Sequence, residues 1–268
     1  MQKVKPLKKF GQNYLTDNNI LDKLINEISP KKDDNLVEIG PGTGTLTEKL
    51  SKKIPSFTAV EIDTRVIDQL KNSFPSIQII QNDFLEINLN QLFKFNNKKL
   101  RIVGNIPYNL TSPIIFKMIE DNQIIEDSVL MVQYEVAKRI TAIKGTKDYG
   151  ILSIVLKYFA DVKFCFKVSH NVFYPKPKVD SAVIHIYFSK DRRDKIANEY
   201  LIKIVKASFG NRRKTLKNSL SNSIFKNINF TDAEIDLSLR AEQLDVEHFI
   251  SLAKYAQMHF IQNGSVKK

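Results

Sequence analysis

The tetrapeptide Asn105-Ile106-Pro107-Tyr108 follows the apolar run Leu100-Arg101-Ile102-Val103-Gly104 directly. An asparagine amide does not titrate near neutrality, so Asn105 is no general base, but its carbonyl oxygen accepts hydrogen bonds. An exocyclic amine on a nucleobase is a poor nucleophile, because its lone pair is delocalised into the ring. Two acceptors, the Asn105 side-chain oxygen and the Ile106 backbone carbonyl, would hold both N–H bonds of such an amine and direct the lone pair toward an incoming methyl group. Pro107 fixes φ and removes a competing donor. Tyr108 offers a flat face on which a base can stack. Catalysis of this kind runs on orientation and electrostatics. Taken alone, the four residues also suit a Pro-containing turn with a packed tyrosine.

A second constellation lies upstream. Gly40, Gly42 and Gly44 stand in Val37-Glu38-Ile39-Gly40-Pro41-Gly42-Thr43-Gly44, where glycines permit positive φ and close approach of the backbone to a ligand. The dinucleotide fingerprint G-x-G-x-x-G is not met, since position 45 is threonine. Glu61 follows Gly40 by about 20 residues, the spacing at which a carboxylate accepts from ribose hydroxyls. Asp83 ends a third apolar run. Gly, Glu and Asp at three successive strand ends suit a nucleoside-bearing cofactor; helix capping by Glu61 and Asp83 is the alternative. No Walker lysine, no Cys/His cluster and no Ser–His–Asp arrangement is evident. His170, His185, His248 and His259 are scattered, and His185 reads as structural. No metal is expected.

Positioning these residues requires a βαβ scaffold. Apolar runs at 35–40, 57–63, 77–83, 100–105 and 128–133 read as strands, with helical patterns at 45–53, 65–74 and 111–121 between them. That alternation predicts an α/β fold with a mostly parallel sheet. Ile20, Leu21, Leu24, Ile25 and Ile28 recur at helical spacing, with Asp17 as the N-cap. The strands read at 163–169 and 181–188 have too short a connection for a helical crossover, so they are expected to pair antiparallel at the sheet edge. The pattern changes near residue 190, where Asp191-Arg192-Arg193-Asp194-Lys195 reads as a linker. Helical periods follow at 198–209, 212–224 and 245–257, and Thr231-Asp232-Ala233-Glu234 has capping-box spacing. The expected domains are 1–190 and an all-helical 191–268.

The 268 residues carry 41 Lys+Arg against 29 Asp+Glu, a net charge of +12 that favours a polyanionic partner. Cys165 is the only cysteine, which excludes an intrachain disulfide and fits a reducing compartment. No apolar stretch approaches the ~18–20 residues of a membrane span, and the basic N-terminus lacks an apolar signal core. A soluble, cytoplasmic monomer is expected, with no membrane partner.

Several motifs resemble one family in its order: Lys8-Lys9-Phe10-Gly11-Gln12-Asn13-Tyr14-Leu15, the glycine loop, Val60–Asp63, Gln81–Ile87, Asn105–Ile114, Gln133–Ile140 and Val172–Val183. The chain is similar, over nearly its whole length, to the ribosomal RNA adenine N6,N6-dimethyltransferases, with Tyr14 where that family usually has Phe. The resemblance implies a Rossmann-like class I methyltransferase sheet plus a small C-terminal all-helical domain, with S-adenosylmethionine as cofactor. It implies dimethylation of two adjacent adenosines near the 3′ end of small-subunit (16S) ribosomal RNA, and a role in subunit biogenesis. Gln12, Asn13 and Leu15 would then close over the cofactor. Gly40 would approach its methionyl part, together with Gly42 and Gly44. Glu61 would hold the ribose and Asp83 the adenine amine, with Ile62 and Phe84 beside them. Asn105 would touch both cofactor and target, and Phe173 would face Tyr108 across a flipped adenine.

Basic segments supply the expected RNA contacts. Lys203, Lys206, Arg212, Arg213, Lys214, Lys217 and Lys226 fall between Tyr200 and Thr231 with no acid among them. A second acid-free stretch, 162–179, carries Lys163, Lys167, Lys176 and Lys178, and the first sixteen residues add four lysines. Lys176, Lys178, Arg212, Arg213, Lys214 and Lys217 are the candidate phosphate contacts. Two other readings stay open. One is the related large-subunit enzyme of the macrolide-resistance type, against which the segments 209–220 and 239–253 argue. The other is a non-catalytic nucleic-acid-binding factor on the same fold, against which the intact tetrapeptide argues.

Overall fold

The structure is a computed structural model that describes residues 5–7, 11–188 and 195–264. Lys8–Phe10 of the N-terminal motif, three of the four N-terminal lysines and most of the expected linker lie outside the described residues. The chain forms two compact units, one of residues 1–137 and 161–189, the other of 138–160 and 190–268.

The first unit is built on a seven-stranded sheet. Its strands are β2 (Asn35–Ile39), β3 (Thr58–Glu61), β4 (Gln78–Gln81), β5 (Leu100–Asn105), β6 (Ile125–Gln133), β7 (Asp161–Val168) and β9 (Ser181–Tyr187). The spatial order is β4-β3-β2-β5-β6-β9-β7. The first five are parallel, and β9 runs antiparallel to both β6 and β7. The apolar runs are continuous because the central strands are covered on both faces; all five residues of β2 are buried. Helices α1 (Asn18–Ile28), α2 (Thr45–Ser51), α3 (Thr64–Ser73), α4 (Leu89–Asn96) and α5 (Thr111–Glu120) punctuate the strands. Asp17 caps α1 by accepting from the Ile20 amide. Leu21, Leu24 and Ile28 enter a core shared with Leu46, Leu50, Val103, Met131 and Val183.

A second, two-stranded sheet was not foreseen. β1 (Tyr14–Leu15) pairs antiparallel with β8 (Phe173–Tyr174), placing Leu15 opposite Phe173. At the opposite end of the main sheet from its C-terminal strand ends lies a buried ionic network. Arg101 donates to both oxygens of Asp127 and to Asp34, and Asp127 also meets His185 Nε2 at 2.9 Å. His185 is structural, as its place in a strand suggested.

The second unit is helical. It contains α7 (Ile151–Phe159), α8 (Lys195–Phe209), α9 (Leu216–Ser221) and α10 (Val246–Gly264); α6 (Tyr134–Ile140) spans the point where the chain enters it. Leu201, Ile204, Phe225, Phe249 and Leu252 form its interior. The expected boundary at 190/191 therefore leaves out 138–160, which cluster with the helices. The capping box at 231–234 does not form. Thr231–Ala233 is a 3-10 turn, Thr231 Oγ1 bonds Asn229 Oδ1, and Glu234 adopts φ 55°.

Candidate active site

The chain passes from β2 outward to β3 and β4, then returns to the other side of β2 as β5. The order reverses between β2 and β5, the topological switch point at which open α/β sheets bind ligands. Ile39 pairs with Gly104, so Gly40 and Asn105 leave the sheet side by side. Val60 pairs with Ile39, and Glu61 with Gln81, which brings Glu61 and the Asn82-Asp83 turn to the same level. Gly104 permits this closeness, since an added Cβ would lie 2.6 Å from the Ile39 carbonyl oxygen.

One pocket opens there. Its walls include Gln12, Asn13, Leu15, Gly40, Gly42, Glu61, Ile62, Asp83, Phe84, Asn105, Ile106, Pro107 and Tyr108. Strand register thus gathers Gly40, Glu61 and Asn105, and the β1–β8 pair with the Gln12–Asp63 and Asn13–Asn105 hydrogen bonds brings in the N-terminal residues. Gly40, Gly42 and Gly44 all have positive φ (63°, 55° and 85°). Their open sides differ. Beyond Gly40 an added Cβ meets nothing within 4 Å, whereas at Gly42 it would lie 2.8 Å from the Tyr14 ring. Gly44 is not on the pocket wall. A Cβ there would lie 2.7 Å from the Phe74 ring, so Gly44 serves packing onto α3.

Glu61 is 4% exposed and accepts from the Gly42 amide through Oε2 and from the Asp63 amide through Oε1, both at 2.8 Å. Burial raises its pKa, and the two backbone donors oppose that rise. A carboxylate has about four lone-pair sites, so each oxygen keeps room for a ribose hydroxyl. Asp63 is the anchor that sequence reasoning missed. It caps α3 through the Arg65 amide, takes Arg65 Nη2 at 2.6 Å and accepts from Gln12 Nε2 at 2.9 Å. Arg65 holds its carboxyl down at about 2. Its place before a helix was the available signal. Gln12 is latched at both ends, since its Oε1 accepts from the Leu7 amide. Glu38, a buried residue of the pocket wall, is pushed up to about 8 by burial and keeps a hydrogen bond from Thr47 Oγ1. Asp83 caps the short turn Phe84–Glu86 through the Leu85 amide.

Asn105 Nδ2 donates to the Asn13 carbonyl at 2.8 Å. That bond fixes which way the amide faces and leaves its oxygen as the group available to a ligand. Gly11 packs over Pro107 and Asn109, with an added Cβ 3.2 Å from Asn109 Oδ1, so the segment before β1 and the tetrapeptide brace each other. The Ile106 amide is held by the Met131 carbonyl at 3.3 Å. Tyr108 is half-buried, and its hydroxyl shares a 2.7 Å hydrogen bond with Ser181 Oγ. The resemblance sets Phe173 across from Tyr108. It is 5% exposed, packs in the core beside Leu15, and is absent from the pocket wall. The open Gly40 side, the ring of backbone-held carboxylates and the half-exposed Ile62 (43%) fit a nucleoside-bearing ligand.

A family model described as ribosomal RNA adenine dimethylase matches residues 4–258. The chain belongs to the ribosomal RNA adenine dimethylase family. It is 44% identical over 248 residues to the ribosomal RNA small subunit methyltransferase A of Chlorobium phaeobacteroides, covering 92% of each chain. It is 41% identical over 259 residues to the protein of that name in Francisella tularensis, covering 94% of this chain and 98% of the relative. Among solved structures, a dimethyladenosine transferase from Plasmodium falciparum superposes with a TM-score of 0.73 at 25% identity, over 93% of this chain and 98% of the other. The 23S rRNA methyltransferase ErmE gives 0.65 at 25% identity, over 91% and 99%.

The candidate phosphate contacts are of two kinds. Lys176, Lys178, Arg213, Lys214 and Lys217 are exposed. Arg212 is not free in the same way: Nη2 donates to the Lys147 and Tyr149 carbonyls and to Glu242. In the acid-free stretch, Lys163 pairs with Glu27 and Lys167 with Asp180. Among the described residues there is no helix long and apolar enough to cross a membrane and no metal-holding cluster of His, Cys, Asp or Glu.

Proposed function

We propose that this chain transfers methyl groups from S-adenosylmethionine to the N6 amines of two adjacent adenosines near the 3′ end of small-subunit ribosomal RNA, in the cytoplasm, giving N6,N6-dimethyladenosine during subunit biogenesis. The observation that carries the reading is the register that sets Gly40 beside Asn105, with the Asn105 amide turned by Asn13 so that its oxygen is the open acceptor. S-adenosylmethionine, when bound, supplies a methyl group on an electrophilic sulfonium. Gly40 and Gly42 would line its approach, Glu61 would hold the ribose hydroxyls, and Asp83 would hold the adenine amine, with Ile62 and Phe84 beside it.

The target adenine leaves its stack to enter the pocket. Tyr108 stacks on it, with its plane fixed by Ser181. The Asn105 oxygen and the Ile106 carbonyl accept the two N–H bonds and turn the lone pair toward the methyl. Each transfer would form an N–C bond as the S–C bond breaks, leaving the neutral thioether S-adenosylhomocysteine, and one amine proton passes to water; a single N–H then remains, so the second round holds the amine with one acceptor fewer. The exposed lysines and arginines bind RNA phosphates. The relatives named for the small subunit, at 41–44% identity, favour that substrate over the large-subunit RNA named for the ErmE fold neighbour at 25%.

The test is transfer from labelled S-adenosylmethionine to unmodified small subunits beside large-subunit RNA, with nucleosides identified by mass spectrometry. N6,N6-dimethyladenosine on the small subunit alone is expected. Label confined to large-subunit RNA, or none on either, overturns the proposal.

A further inference from the structure

We infer that Tyr174 is an RNA-binding residue whose ring stacks on the base next to the flipped adenosine, the other member of the adjacent pair. The inference rests on the function proposed above and carries substrate recognition from the pocket to its rim.

Strand register places the ring there. In the β1–β8 ribbon Tyr174 is the partner of Tyr14, and Phe173 that of Leu15. Side chains alternate across a strand, and directly opposed residues of an antiparallel pair share a face, with Cβ atoms about 4.5–5.5 Å apart. Leu15 and Phe173 enter the core from one face of the ribbon. Tyr14 and Tyr174 therefore share the other, and Tyr14 is on the pocket wall with its ring against Gly42. Tyr174 stands beside that wall without being part of it, and it is 62% exposed. All nine tyrosines are among the described residues, and Tyr187 is the one other that is exposed. The Tyr187 ring is already stacked on His185.

The segment around Tyr174 is tied down and positive. Before it, the Val172 carbonyl accepts from the Thr16 amide and from Thr16 Oγ1, both at 2.9 Å. After it, Asp180 Oδ1 accepts from the His170 amide at 3.0 Å and closes the loop. Pro175 and Pro177 restrict φ between these ties. Lys176 and Lys178 are exposed, and the acid that ends the stretch, Asp180, is paired with Lys167 at 2.8 Å. A flat aromatic face held next to exposed lysines is the combination that binds single-stranded nucleic acid.

An adenosine drawn out of its stack leaves its neighbour with one bare face. Tyr174 offers that face a new partner at the pocket mouth, while the lysines meet the phosphates. Each member of the adenosine pair then rests on Tyr174 while the other is in the pocket.

Tyr174→Ala removes the ring, and Tyr174→Phe keeps its face. The measurements are kcat/KM on unmodified small subunits, the melting temperature, and the calorimetric affinity for S-adenosylhomocysteine. In Tyr174→Ala, kcat/KM should fall about ten-fold or more, with melting temperature and S-adenosylhomocysteine affinity unchanged. Tyr174→Phe should stay close to wild type. Subunits with either adenosine replaced by uridine present one target beside a smaller base that stacks less. On at least one of them wild type should lose kcat/KM, and Tyr174→Ala should lose less. Wild-type kinetics in Tyr174→Ala overturn the inference, and so does a Tyr174→Phe loss equal to that of Tyr174→Ala. A loss in Tyr174→Ala accompanied by a lower melting temperature or weaker S-adenosylhomocysteine binding means a structural role and also overturns it. Equal uridine penalties in wild type and Tyr174→Ala overturn the assignment to the neighbouring base. Wild type inactive on small subunits refutes the proposed function itself, a distinct result.

Discussion

Gly40 and Gly44 provide a matched pair of substitutions that separates ligand contact from packing. Both hold positive φ, 63° and 85°, so alanine at either forces a side chain into the left-handed region at about 1–2 kcal/mol. The new methyl then meets opposite surroundings. At Gly40 it meets no atom within 4 Å, so Gly40→Ala should lose only that backbone term in urea unfolding. The space it fills is the one assigned to cofactor, and overpacking of about 1–3 kcal/mol moves to the bound state. Affinity for S-adenosylhomocysteine should therefore fall roughly ten-fold or more. At Gly44 the methyl lies 2.7 Å from Phe74 Cε2 and 3.2 Å from Leu70 Cδ2. Overpacking adds to the backbone term, so Gly44→Ala should lose about 2–5 kcal/mol of stability. Its affinity should change by less than that of Gly40→Ala. Titration calorimetry and urea unfolding on both variants decide the matter. If Gly44→Ala loses affinity with stability intact, or Gly40→Ala binds like wild type, the assignment of the glycine loop is wrong.

Asp127→Ala leaves the buried Arg101 guanidinium with Asp34 as its one carboxylate partner, beside the Ile28 and Ser29 carbonyls, and urea unfolding should show a loss of about 3 kcal/mol with cofactor affinity unchanged. Glu38 carries a folded-state pKa of about 8 against an ordinary 4.5. The folded state thus holds an extra proton between those values, so stability falls as pH rises from about 4.5 to about 8 and levels off above. Glu38→Gln still accepts from Thr47 and should flatten that slope, leaving the variant more stable than wild type at pH 9 and little changed at pH 5. Lys214→Ala should reduce the slope of log K for RNA against log salt by about 0.7–0.9. Arg212→Ala, which breaks contacts to Lys147, Tyr149 and Glu242, should instead lower the melting temperature most visibly.

The strands of the main sheet were legible because buried parallel strands are near-continuous apolar runs, as in Leu100–Val103 and Val129–Val132. The β7–β9 pairing followed from a connection too short for a helix. The β1–β8 pair was not legible: two residues have no period, and their partners lie some 160 positions apart. The pocket residues were found because they sit at strand ends, where register rather than sequence distance decides proximity. Gly44 was misplaced because positive φ and spacing look the same whether a glycine faces a ligand or a phenylalanine ring. Phe173 was assigned a stacking face by resemblance, but pairing with Leu15 turns it into the core. Arg212 looks like its neighbours in sequence, and only the fold shows the carbonyls that claim it. The helical unit drew in 138–160 through tertiary packing that periodicity does not report.

The central claim is that the Asn105 oxygen, oriented by Asn13, holds the target amine for methylation. It is tested by single-turnover methyl transfer to unmodified small subunits with wild type and Asn105→Ala, alongside RNA binding and circular dichroism of both. The account predicts N6,N6-dimethyladenosine from wild type and none from the variant, with fold and RNA affinity retained. A variant that methylates within a few-fold of the wild-type rate would contradict it.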